Sequence, residues 1–148
     1  MREMRPLLEV EALQPLDGRR TAITWLGQDW RVEGDNHGNH GGSDAGPDGF
    51  DLVAAALGQC LLTTLLARAQ RDGVRIDSAR AVVATKARLQ GNEKAPYISD
   101  FEVDLHVTGD VDETARAALE AAARTMCGVR ETLVQTPRIV ERVHVGTE

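Results

Sequence analysis

Cysteine is scarce in this chain: two in 148 residues, Cys60 and Cys127. Two thiols make no disulfide scaffold. They also fall short of the four Cys/His ligands of a structural zinc site unless histidines join them. Positive charge is scarce as well, 17 Lys+Arg against 23 Asp+Glu, for a net charge of −6. A phosphate-binding surface needs the opposite sign, so neither nucleic acid nor an anionic membrane is an expected partner. Long apolar runs are missing too. The longest stretch without a charge, Leu52–Ala67, has 16 residues and contains Gln59, Thr63 and Thr64. A spanning helix needs about 20 mainly apolar residues, so this stretch reads as a buried helix. The opening MREMRPLLEV holds no apolar stretch of signal-peptide length, and Glu3 and Glu9 interrupt it. The expected compartment is the cytoplasm. There thiols stay reduced, and a cysteine pair suggests transient redox chemistry over a permanent staple.

What is present is the composition of a soluble globular protein, 42% hydrophobic and 27% charged. A single domain over residues 1–148 is expected, since a chain of this length buries about 68–70% of its unfolded surface without staples. Leu8–Leu13, Thr21–Leu26 and Asp29–Glu33 read as short strands, with a turn at Asp17-Gly18 between the first two. From Gly34 to Pro47 the chain holds five of its 14 glycines and must be a loop. Phe50–Arg71 is the strongest helix. Leu57, Leu61 and Leu65 recur at helical spacing, and apolar residues fill the adjacent stripe, which predicts burial on most faces. Gly73 is a predicted C-cap.

Ala79–Leu89 and Tyr97–Val107 then read as a hairpin around Gly91-Asn92 and Pro96. In its second strand Phe101, Val103, Leu105 and Val107 alternate with Asp100, Glu102, Asp104 and His106, one face core and one wet. Asp110–Glu113 resembles a capping box. It opens a helix with Ala115, Ala118, Leu119, Ala122 and Met126 predicted inward, and that helix delivers Cys127. A short helix around Val129–Val134 ends before Pro137, and Ile139, Val140, Val143 and Val145 suggest a last strand. The order β-β-β-α-β-β-α-α-β argues for an α+β fold with antiparallel sheet and a central buried helix.

Taken as residues, Cys60 in mid-helix reads first as a small buried hydrophobe. Cys127 has the more reactive setting, at a helix junction with Arg124 and Arg130 three residues away on either side. The 67 positions between the two thiols form no CxxC motif. His37, His40, His106 and His144 leave a cysteine–histidine hydrolase open, although none sits in a nucleophile motif. His37 and His40 offer two metal ligands, but no cysteine or carboxylate completes an evident site, and no metal is expected. The glycine-rich loop lacks the Gly-Lys-Ser/Thr ending of a phosphate loop.

Two segments carry a resemblance. GGSDAGPDGFDLVAAALGQC, Gly41–Cys60, resembles the OsmC/Ohr superfamily, in which a Gly/Pro-rich loop leads to an acidic residue and an Ala-rich helix ending in a reactive cysteine. MCGVRETL, Met126–Leu133, looks like that family's Cys-Pro-Val-x-x-x-Leu segment with its second cysteine. The order of elements also fits over nearly the whole chain. The resemblance implies an intertwined α+β homodimer, antiparallel sheets around a long central helix, and sites at the subunit interface. It implies a thiol peroxidase for organic hydroperoxides with no cofactor. Cys60 is then the attacking thiolate, Cys127 the resolving thiol, and an external dithiol the reductant. Arg20 or Arg19 is the implied thiolate-stabilising arginine.

Asp51 is the carboxylate nearest to the glutamate expected to orient that arginine. Nine helical residues rise about 13.5 Å, so Asp51 has to act through the arginine and not on Cys60 directly. Two residues depart from the pattern: Phe50-Asp51 stand where Glu is expected, and Gly128 replaces Pro. These departures motivate a second reading, a non-enzymatic dimer of the same fold that binds a small apolar ligand at its interface.

Overall fold

The structure is a computed structural model that describes residues 9–14, 20–38, 41–91, 94–135 and 137–145. The chain divides into two compact units, Met1–Ala54 and Ala55–Glu148. The architecture is α+β, with antiparallel sheets and one long helix.

In the first unit, β1 (Val10–Leu13), β2 (Thr21–Trp25) and β3 (Arg31–Gly34) form an antiparallel sheet in the order β1-β2-β3. Ala12 pairs with Ile23 and Ile23 with Val32, which stacks one apolar row across all three strands. The Trp25 and Trp30 rings meet edge-to-face at 6.3 Å across the β2–β3 turn. The predicted turn at Asp17-Gly18, together with Arg19, Leu8 and His40, lies outside the described residues. After β3 the glycine-rich loop is closed by Asp35, whose N–H donates to the Pro47 carbonyl at 3.0 Å. Gly42 is required in that loop, because a Cβ there would overlap the Asn36 backbone at 1.6 Å.

The long helix α1 (Gly49–Arg71) is preceded by Asp48. Asp48 and Asp51 cap it reciprocally: the Asp51 N–H donates to Asp48 Oδ1 at 2.9 Å, and the Asp48 N–H to Asp51 Oδ2 at 3.0 Å. That is a capping box with carboxylates in both roles. Gly73 closes the helix in the left-handed region at φ +70°, with the Val74 N–H returning to the Ala69 carbonyl at 2.9 Å.

In the second unit, β4 (Ile76–Arg88) and β5 (Tyr97–Gly109) make a two-stranded antiparallel sheet with two register irregularities. The expected alternation along β5 holds, with Phe101, Val103, Leu105 and Val107 partly buried and their neighbours exposed. Residues 55–71 of α1 and the helix α2 (Glu113–Met126) lay their apolar stripes on this sheet. One core cluster gathers Leu57, Leu61, Ala123 and Cys127, and another Leu65, Ala69 and Leu119. Gly58 lets the helix approach the sheet closely, since a Cβ there would stand 3.1 Å from Val83 Cγ2.

Four expectations need correction. First, α1 is buried along one stripe, not on most faces: Leu57, Gly58, Leu61, Leu65 and Ala69 are covered while Leu66 is 40% exposed. A single layer of neighbours covers a single face of a helix. Second, the N-cap of α2 is Asp112, accepting from the Ala115 N–H at 2.7 Å, and not Asp110. Asp110 is engaged by Arg75, its N–H on the Arg75 carbonyl and its carboxylate taking Arg75 Nε at 3.0 Å, so the helix starts two residues later. Third, Met126 is 57% exposed, and Ala123 takes the inward place. Fourth, among the described residues no strand follows α3 (Gly128–Val134). Ile139, Val140, Val143 and Val145 are exposed. Their pattern suits a strand, but a strand needs a neighbour to take its backbone hydrogen bonds, and among the described residues none pairs with this segment.

Candidate active site

The two cysteines meet. Cys60 lies on the fourth turn of α1, one residue before Leu61, which belongs to the core cluster containing Cys127. Cys127 is the residue between α2 and α3, the C-cap of one and the N-cap of the other. Its extended backbone, φ −82° and ψ 111°, breaks the helical path so that α3 starts in a new direction. Cys127 is fully buried, and its Sγ donates to Cys60 Sγ at 2.9 Å. Both thiols are free. A disulfide measures about 2.05 Å between sulfurs, so a displacement of about an ångström closes the bond.

Their surroundings set them apart. Burial pushes the Cys60 thiol up, but the donors around it outweigh burial. These are the Cys127 thiol first, then the backbone N–H groups of Val129 and Gly128, then the Thr64 hydroxyl, and the net is a thiol held below its ordinary value. Cys127 goes the other way. Burial raises it, and the hydrogen bond to Cys60 raises it further, against the opposing Arg130 N–H. The sequence places the more reactive setting at Cys127; in the fold the surrounding donors, the Cys127 thiol foremost, favour the other sulfur. Sequence reasoning missed those donors, because they reach Cys60 only through the tertiary fold.

The Arg130 guanidinium donates to the Arg124 carbonyl at 2.8 Å and to Glu131 at 3.1 Å, tying the end of α2 to the start of α3. Beside the pair lies an open groove of about 560 Å³. Leu57, Leu61, Phe101 and Val103 line it with apolar surface and Glu120, Arg124 and Arg130 with charge; neither cysteine is among its lining residues. His106 lies on the exposed face of β5 and His144 in the exposed segment after α3; among the described residues neither bonds a cysteine sulfur.

The other predicted residues sit in the first unit. Arg20 precedes β2 and is exposed. Asp51 caps α1, and its carboxylate lies 3.5 Å from His37 Nε2; among the described residues no arginine bonds it. His37 is the hub of a carboxylate cluster. Its Nδ1 meets Asp44 Oδ1 at 2.9 Å, and Nε2 faces Asp48 at 3.6 Å. The Asp44 hydrogen bond holds His37 above its ordinary value against desolvation, helped by the charges of Asp48 and Asp51. In the sequence no carboxylate completes an evident site with His37, whereas the fold gathers these around it. His37, Asp48 and Asp51 place ligand atoms within 4.8 Å of one another.

Asp35 went unnoticed in the sequence, yet it organises the loop. It is 4% exposed, and its carboxylate accepts from Ser43 Oγ at 2.5 Å and from the Ser43, Ala45 and Asn36 N–H groups. The Ser43 hydroxyl and the Ala45 amide, chiefly, hold its carboxyl down at about 2.

With this geometry in hand, the OsmC family model, described as OsmC-like protein, matches residues 41–142. The chain belongs to the OsmC-like protein family. No curated protein matches it. Solved structures share the fold. An OsmC-like protein from Mycoplasma pneumoniae superposes with a TM-score of 0.75 at 14% identity, covering 88% of this chain and 89% of that one. A Legionella pneumophila protein described as an organic hydroperoxide resistance protein OsmC, predicted redox protein, gives 0.71 at 15%, covering 88% and 91%. A Vibrio cholerae putative organic hydroperoxide resistance protein with captopril in one of its active sites gives 0.68 at 17%, covering 89% and 88%.

Proposed function

We propose that this chain is a thiol-dependent peroxidase that reduces organic hydroperoxides, and hydrogen peroxide secondarily. The observation that carries the reading is the 2.9 Å approach of Cys60 and Cys127, with the first thiol held down and the second pushed up. A thiolate is the nucleophile in such chemistry, and Cys60 is the sulfur whose surroundings favour one. Cys60 attacks the terminal oxygen of the hydroperoxide. The O–O bond breaks, the alkoxide leaves and takes a proton to become the alcohol, and the sulfur, oxidised by two electrons, becomes a sulfenic acid. Cys127 then attacks that sulfur, water leaves, and a disulfide forms. An external dithiol returns two electrons and two protons.

Arg20 and Asp51 enter on the family resemblance, Arg20 stabilising the thiolate and departing oxygen, Asp51 orienting it. The assembly is a homodimer, a reading supported by the exposed Leu66 side of α1 and by the apolar, unpaired segment from Ile139 to Val145. The compartment is the cytoplasm, which keeps the pair reduced between turnovers.

Stopped-flow reduction of cumene hydroperoxide with a dithiol tests the reading. Wild type turns over, Cys60→Ser does not, and Cys127→Ser is oxidised once and stalls with a trappable sulfenic acid. Full turnover in Cys60→Ser overturns the proposal. The groove of about 560 Å³ favours the second reading, a dimer that binds an apolar ligand without turnover. Inert wild type that still binds an apolar fluorophore would establish it.

A further inference from the structure

The last carbonyls of a helix have no intrahelical partner. At the end of α2 the Arg124 carbonyl is one of these, and Arg130 Nη1 donates to it from α3 at 2.8 Å. The same nitrogen donates to Glu131 Oε1 at 3.1 Å, which steadies the guanidinium. The Arg130 backbone N–H donates to Cys127 Sγ at 3.4 Å, and that sulfur donates to Cys60 Sγ at 2.9 Å. One residue of α3 therefore bonds both the end of α2 and the sulfur at the bend between the two helices.

Little else fixes that bend. Cys127 is extended, φ −82° and ψ 111°, and Gly128 follows it with no side chain to wedge the turn; a Cβ there would meet nothing within 4 Å. The Glu131 N–H returns to the Cys127 carbonyl and the Thr132 hydroxyl to the Gly128 carbonyl, so both shape the first turn of α3 without fastening it to α2. Val129 packs on the core cluster, but apolar packing has no direction. Among the described residues no other side chain of α3 bonds α2.

We propose that Arg130 is a positioning residue for the resolving thiol: by anchoring α3 on the end of α2 it keeps Cys127 Sγ aligned on Cys60 Sγ, and it sets the rate of disulfide closure and not that of the first oxidation. Naming Cys127 as the resolving thiol rests on the peroxidase reading. In closure the Cys127 sulfur attacks the sulfenic sulfur of Cys60. The S–S bond forms, the S–O bond breaks, and the hydroxyl leaves as water with the Cys127 proton. The sulfurs have to close from 2.9 Å to about 2.05 Å. A misplacement of about an ångström costs such a step up to about a hundredfold. The first oxidation needs Cys60 and the hydroperoxide alone, so it is indifferent to the anchor.

Arg130→Met tests this, since it keeps an apolar stem along the groove and removes the guanidinium, whose side chain is 38% exposed and not needed to fill the core. Reduced full-length protein is mixed with equimolar cumene hydroperoxide and no reductant. Loss of hydroperoxide reports the first oxidation, and loss of dimedone-trappable sulfenic acid reports closure. Arg130→Met should consume hydroperoxide at the wild-type rate and close at least about tenfold more slowly, the factor carried by one hydrogen bond from a charged donor. In excess hydroperoxide it should accumulate sulfinic acid at Cys60. Leu119→Ala is the control: Leu119 is buried in the other core cluster, on the same helix α2, so this variant loses stability but should close at the wild-type rate. Wild-type closure in Arg130→Met, an equal slowing of its first oxidation, or closure as slow in Leu119→Ala overturns the proposal. Diamide measures closure without hydroperoxide chemistry: one thiol adds across its N=N bond, and the second thiol displaces the hydrazine. Slowed diamide closure in Arg130→Met, with a wild type inert to hydroperoxide, would sink the peroxidase reading alone. Hydroperoxide turnover with unslowed closure in Arg130→Met would sink this inference alone.

Discussion

Truncating Leu61 tests whether the thiol pair is held by core packing. Leu61 is 6% exposed and belongs to the cluster of Leu57, Ala123 and Cys127, one residue after Cys60. Leu61→Ala removes three carbons from that cluster, and at roughly 0.8 kcal/mol per buried carbon the transfer loss is about 2.4 kcal/mol. A cavity usually adds more. Here Leu61 also borders the open groove, so the space left behind merges with one already present. The expected cost is therefore near the low end for such truncations, about 2.5 kcal/mol. In a chain of this size that lowers Tm by roughly 5–10 °C. Leu89→Ala is the control, since Leu89 is 84% exposed and should cost no more than about 0.5 kcal/mol. Urea unfolding followed by circular dichroism, under reducing conditions and at one protein concentration, measures both. A Leu61→Ala cost within about 0.5 kcal/mol of wild type, or a Leu89→Ala cost as large, would refute the reasoning. Loss of stability should also slow disulfide closure after peroxide, because Cys127 loses a packing partner on the side facing α1.

Two further outcomes follow from the loop. Asp35 has its carboxyl lowered from 3.8 to about 2, so its contribution is present above 3.8 and fades as pH falls toward about 2. Asp35→Asn should speed hydrogen exchange at the Ser43 and Ala45 amides near neutral pH, and an unchanged exchange rate would count against the assigned role. His37 is raised from 6.5, so its contribution is full below that value and is lost as pH rises through the higher folded one. Its imidazole resonances should titrate above 6.5 and move back toward it in Asp44→Asn; a wild-type midpoint at or below 6.5 contradicts the cluster.

Periodicity made most of the elements legible. The helix over Phe50–Arg71, the β5 alternation and the Gly73 stop depend on contacts a few residues apart, and the structure reproduces them. The Asp110 capping expectation failed because Arg75, far away in sequence, holds Asp110. The last strand failed because a strand depends on a neighbour that sequence cannot supply.

The sequence by itself determined the α+β class, the long helix, the scarcity of thiols and, through two motifs, which thiols to watch. Local pattern and composition suffice for those. Only the tertiary structure decided that Cys60 and Cys127 stand 2.9 Å apart, because 67 intervening residues impose no distance of their own. It also decided which sulfur is the stabilised one. Sequence favoured Cys127 by its arginine neighbours, but a thiolate responds to the donors that reach it in space, and the Cys127 thiol itself donates to Cys60.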